Sequence, residues 1–245
     1  MLSTASKALV IYTILMVVAV AITFVISLRD TRTVRDVGVW IKPMKFMGAI
    51  ALFSLTTVWL AVVASAEVES SNAFVGISVL IILTSLFEVG YITYRAYHGE
   101  ASHYNTSTPL ASMLYSLMGL MAVCLVASQA WLAWEIWRTE PNAVSDPVKL
   151  SIIIGLVLTF ILSTVGGLML GGRQPPSGQG IPFFGWHFSG DLRPSHFLGL
   201  HAQQFIPILG LLCYKFLGSF ATPWLLASST GYVVLWVWLV GVGLR

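Results

Sequence analysis

Charge is what this sequence has least of. Only 9% of its 245 residues are Asp, Glu, Lys or Arg, while 57% are hydrophobic. Soluble domains carry about 25% charged residues. A water-soluble core of this size is thereby excluded, and the surplus apolar surface must face lipid. Alternating segments of about ten residues are also missing, which excludes a membrane barrel. Cysteine is scarce too: Cys124 and Cys213 fall in different apolar runs at different depths, and read as packed thiols rather than a disulfide. There is no fixed-period repeat, low-complexity tract or long linker, so residues 1–245 read as a single domain. No G-x-S-x-G elbow and no Ser-His-Asp spacing stands out, which weakens a hydrolase reading; Ser102 beside His103 does not make a nucleophile–base pair. The last apolar run lacks a lysine, which disfavours a retinal Schiff base.

What the chain has in abundance is long apolar runs. A spanning helix needs roughly 20 such residues, and seven runs qualify: Ala8–Leu28, Met44–Ser65, Ala73–Tyr94, Leu110–Trp137, Val148–Leu170, Ser195–Phe216 and Ala221–Leu244. The first exceeds a signal-peptide core of about 7–15 residues and has no small-residue cleavage site before Arg29, so it is expected to be retained. The expected fold is all-α, an integral membrane bundle of seven transmembrane helices. One side receives Arg29, Arg32, Arg35, Lys42, Lys45, Arg95, Arg173, Arg193 and Arg245; the other receives only Lys7, Arg138, Lys149 and Lys215. The positive-inside rule then puts the N-terminus outside and the C-terminus in the cytoplasm. This asymmetry accounts for the net charge of +3, and no nucleic-acid partner is needed.

The histidines are sided as well. His98, His103, His187, His196 and His201 all fall toward the cytoplasmic face. Glu88 lies in the third span, about 10 Å inside its cytoplasmic end at 1.5 Å per residue. His201 sits at a similar depth in the sixth. Ionisable residues within spans are costly and are functional candidates by default. Glu88 and His201 are therefore the expected catalytic or proton-carrying pair. Histidine with carboxylate suits iron or zinc, and two histidines from different helices suit haem. On that reading Glu88, His98, His103, His196 and His201 are candidate metal ligands, with His103, His196 and His201 the cofactor-binding imidazoles. His196 and His201 stand about 140° apart on an ideal helix, so they cannot meet one ion unless the region of Pro194 distorts the first turn. Asn105, Asp191, Arg193 and Gln204 would orient the rings.

Other features read as anchors. Lys42, Lys45, Pro43 and Trp40 mark a helix starting at the interface, and Trp131, Trp134 and Trp137 form the opposite belt. The glycines of "STVGGLMLGG", residues 163–172, read as packing residues.

Three segments together, "WIKPMKF" at 40–46, "YRAYHGEASHYN" at 94–105 and "GDLRPSHFLGLHAQQFIP" at 190–207, resemble an uncharacterised family of bacterial multi-pass membrane proteins. The chain departs from the pattern at His98, where the family has Arg, and at Tyr104, where it has Phe. The resemblance implies a bacterial inner-membrane location and treats these residues as one unit; it implies no reaction. The expected function is a metal- or haem-dependent redox protein of the cell membrane, acting on a hydrophobic small molecule or electron carrier. The alternatives are a proton-coupled transporter or sensor using Glu88 and His201, and a non-catalytic subunit assembled with membrane partners.

Overall fold

The structure is a computed structural model that describes residues 2–140, 142–143, 145–178, 180–181 and 184–245. It is a helical bundle. The helices are α1 (Thr4–Ser27), α2 (Ile41–Ala64), α3 (Ala66–Glu69), α4 (Asn72–Tyr97), α5 (Pro109–Thr139), α6 (Pro147–Gly171), α7 (Arg193–Leu200), α8 (Ala202–Leu217) and α9 (Ala221–Gly243). The starts are chemically marked. Ser3, Ser65, Ser71, Thr108 and Asp146 each cap a first turn by accepting a backbone N–H, and Pro109 and Pro147 follow the last two caps.

Six helical stretches are long and apolar enough to cross a membrane, the last being Ala202–Gly243. Within that last stretch the chain turns back at Gly218, whose φ of +52° suits glycine. The α9 helix then returns along α7 and α8: the Tyr232 hydroxyl donates to the Leu198 carbonyl, and Gly243 lies against the backbone of Asp191.

Two regions differ from expectation. A two-residue hairpin, β1 (Thr33–Val34) with β2 (Val37–Gly38), stands in the loop before α2. Arg35 and Asp36 turn it with φ of 55° and 65°, positive at both central positions as a type I′ turn requires. The helix expected over 195–216 is also two helices, divided at His201. The reason lies on α6: the Gln203 N–H donates to the Thr159 hydroxyl at 2.8 Å, so the usual bond to the carbonyl four residues back is not made.

In lipid, helices associate through close packing of small residues more than through apolar burial. The α6 face formed by Gly155, Thr159, Ser163 and Gly166 does this against α7 and α8. A Cβ on Gly199 would lie 2.9 Å from the Leu162 carbonyl carbon, and one on Gly155 would lie 3.0 Å from the Ala202 oxygen. The glycines read as packing residues therefore set the approach. A second core ties α1, α2, α4 and α5 together through Leu9, Leu60, Phe74, Ile77 and Leu132. The outer face of α1 stays apolar, with Ile11, Ile14, Leu15, Ile22 and Val25 exposed.

Candidate functional site

At one end of the bundle the loops before α2, after α4 and after α6 meet. Asp30 organises the first of them: it takes hydrogen bonds from Arg32 and, at 2.7 Å, from the Trp40 indole. The Arg32 bonds, then the Trp40 bond, hold its carboxyl well below the usual carboxylate range. Arg32 also donates to the Tyr97 carbonyl at 3.0 Å, tying the hairpin to the end of α4. This fixes the first turn of α2, and with it Lys42.

Lys42 is half-buried, with its ammonium 5.9 Å from the Phe46 ring. On α4, Glu88 is buried and makes no hydrogen bond among the described residues. Among the described residues Lys42 is the charged group that acts on Glu88, although the two do not close to a direct ion pair. The Arg35 guanidinium acts on Lys42 in turn.

His103 follows α4 and stands between Phe46, 6.0 Å from its ring, and Tyr115, at 5.8 Å. Its Nδ1 is 3.2 Å from the Ser102 hydroxyl. Burial first, then the charge of Lys42 and the neighbouring His196, pushes the His103 ring down to about 3, so it is neutral at physiological pH. Tyr104, at φ +56°, donates to the Leu170 carbonyl, and Tyr115 donates to Gly171 at 2.9 Å. These two phenols fasten the His103 loop and the first turns of α5 to the end of α6. His196 reaches the same region from α7 beneath Gly166 and Gly167; a Cβ on Gly167 would lie 3.3 Å from its Cε1. The Ser163 carbonyl faces the ring, yet the buried Nδ1 has no well-formed hydrogen bond.

Lys42, Glu88, His103 and His196 thus form one electrostatically linked group contributed by α2, α4, α7 and a loop. The other expected residues lie outside it. His201 packs on Phe197, ring to ring 4.1 Å, and its Nδ1 meets Gln204 at 3.2 Å; it shares no bond with Glu88. His98 is exposed at the end of α4 between Tyr94 and Tyr97. His187 donates its backbone N–H to Asp191 at 2.9 Å, while its Nε2 is buried without a partner.

Of the four residues expected to orient rings, Gln204 alone touches a histidine ring. Asn105 bonds Ala101 and Ser107 within its own loop. Asp191 and Arg193 pair at 2.7 Å, and Arg193 also donates to the Gly185 carbonyl. Burial would raise the Asp191 carboxyl, but the Arg193 side chain and the N–H groups of Arg193 and His187 hold it below its usual range. This pair shapes the 185–193 turn. Among the described residues, no group of three or more His, Cys, Asp or Glu stands close enough to hold a metal ion.

Sequence reasoning missed Lys42, which read as an interfacial anchor. Its pairing with Glu88, 46 positions away, leaves no local signal. No family model, curated protein or solved structure matches the chain.

Proposed function

We propose that the chain is a seven-pass membrane protein in which the Lys42–Glu88 group, backed by His103 and His196, takes up and releases protons during transport or sensing. The observation that carries this is Glu88: a buried acid in the bundle with no hydrogen bond and one nearby cation. Buried polar groups are nearly always hydrogen-bonded, and unsatisfied acids within spans mark ion or proton pathways. Lys42 faces Glu88 from α2; among the described residues α1, α3 and α5, the other helices packed on α4, bring no charged group that acts on it.

A seam of buried hydroxyls supports the reading. The Tyr12 hydroxyl meets Ser85 at 2.8 Å, three residues from Glu88, and Ser54 is buried without a partner. Further along, Gln129 donates to Thr57 at 3.3 Å, and Glu69 closes the opposite end. Glu88 lies about 24 Å along α4 from its start, close to the thickness of a hydrocarbon core of about 30 Å. The reversal at Gly218 supports seven passes, the basic asymmetry supports an outside N-terminus, and the loop motifs support a bacterial inner membrane.

The test is proton movement in liposomes carrying an internal pH dye. Wild type moves protons or changes conformation with pH, and Glu88→Gln abolishes the response. An unchanged response in both Glu88→Gln and Lys42→Met defeats the proposal. A second reading, redox chemistry with iron, zinc or haem on a hydrophobic substrate, draws on different atoms. His196 Nδ1 and His187 Nε2 are buried and lack partners. Elemental analysis of untagged protein decides it: about one iron or zinc per chain supports it, and none after metal-supplemented expression removes it.

A further inference from the structure

The break between α7 and α8 presents His201 with its hydrogen bonds committed on one side only. The Gln204 Nε2 donates to the Thr56 hydroxyl on α2 at 3.1 Å, which turns Gln204 Oε1 toward His201. With the Gln204 amide so oriented, the ring nitrogen facing that oxygen, Nδ1, carries the hydrogen, and Nε2 keeps a bare lone pair. Among the described residues, no group hydrogen-bonds Nε2. Thr56 is buried between helices, so the Thr56–Gln204–His201 chain is anchored and the tautomer fixed.

The surroundings define what meets the lone pair. Phe197 lies 4.1 Å from the imidazole at 44°, and Phe205 lies 6.5 Å away at 67°. Trp186 extends the aromatic wall, 5.2 Å from Phe197. Phe197, Phe205 and Ile208 are exposed on the outer face of the helix pair, where lipid lies. His201 stands eight residues from the start of α7, about 12 Å in from the loop. Water does not reach hydrocarbon at that depth in quantity. The donor must come from a lipid-soluble molecule, and rings on both sides favour a flat aromatic one.

We infer that His201, flanked by Phe197 and Phe205 and held by Gln204, binds the hydroxyl of a membrane-dissolved hydroquinone that enters sideways from the lipid. The complementarity is specific: an oxygen that only accepts, as in a quinone carbonyl or an aryl ether, finds no donor on Nε2. The site uses groups on α2, α7, α8 and the preceding turn, and does not rest on the Lys42–Glu88 reading.

The experiment is equilibrium binding of tetramethylhydroquinone, kept reduced, to the detergent-purified full chain, beside its dimethyl ether. Wild type binds the hydroquinone at least about tenfold more tightly than the ether, the discrimination of a buried hydrogen bond. His201→Phe keeps the ring and brings the hydroquinone down to the affinity of the ether, and Gln204→Leu gives an intermediate loss. Equal affinity of wild type for the two compounds overturns the inference, as does full hydroquinone affinity in His201→Phe. The comparison of the two compounds on wild type decides the matter even where the variant fails to fold.

Discussion

Glu69 and Glu88 each expose 6% of their surface, yet the bundle treats them in opposite ways. Glu69, ending α3, accepts the Ser3 N–H at 2.8 Å and the Ser6 hydroxyl. Burial alone would raise its carboxyl, but those bonds keep it below the usual range and charged. Among the described residues, Glu88 accepts nothing and answers to Lys42 across a gap. The first acid ties the start of α1 to α3. The second, without a hydrogen bond among the described residues, is the acid to which proton exchange is proposed.

The largest expected difference between them is in stability. Glu69→Ala leaves the buried Ser6 hydroxyl and the half-buried Ser3 N–H without their acceptor, and should destabilise the bundle by about 1–3 kcal/mol. Thermal unfolding in detergent measures it; a loss no larger than for Glu88→Ala would erase the contrast.

The next effect is acid sensitivity. His103 titrates at about 3 in the folded chain, against about 6.5 when unfolded. Its folded pKa is depressed, so the unfolded chain binds the proton first as pH falls through 6.5. Stability is full above that value and declines toward 3, by on the order of 2 kcal/mol at pH 5. Asp191, also held low, adds loss only at more acid pH, below the unfolded carboxylate value. His103→Gln should make the decline between pH 6.5 and 5 shallower, and a slope unchanged in that variant counts against a neutral, buried His103. The smallest effect is on Glu88 itself: Glu88→Gln should move stability by less than Glu69→Ala does, since no hydrogen bond is lost.

The sequence made the long helices legible because lipid demands unbroken apolar runs, and those runs fall close to α1, α2, α4, α5, α6, α8 and α9. The break at His201 was not legible. It depends on Thr159 of a different helix capturing the Gln203 N–H. The site was half legible: Glu88 stood out as a carboxylate inside a span, and His103 and His196 as histidines on its side. The nearness of Lys42 to Glu88 was not legible because depth along a helix ranks residues by height and not by direction. His201 shares the height of Glu88 but faces Phe197 and Gln204, while Lys42, read as an anchor, turns inward.

The most direct measurement is infrared difference spectroscopy of the chain in lipid, titrated from alkaline to acid pH, in wild type, Glu88→Gln and Glu69→Gln. A protonated-carboxyl band that grows as pH falls, is absent in Glu88→Gln and persists in Glu69→Gln is the predicted result. A band that survives in Glu88→Gln, or disappears only in Glu69→Gln, would contradict Glu88 as the proton-exchanging acid.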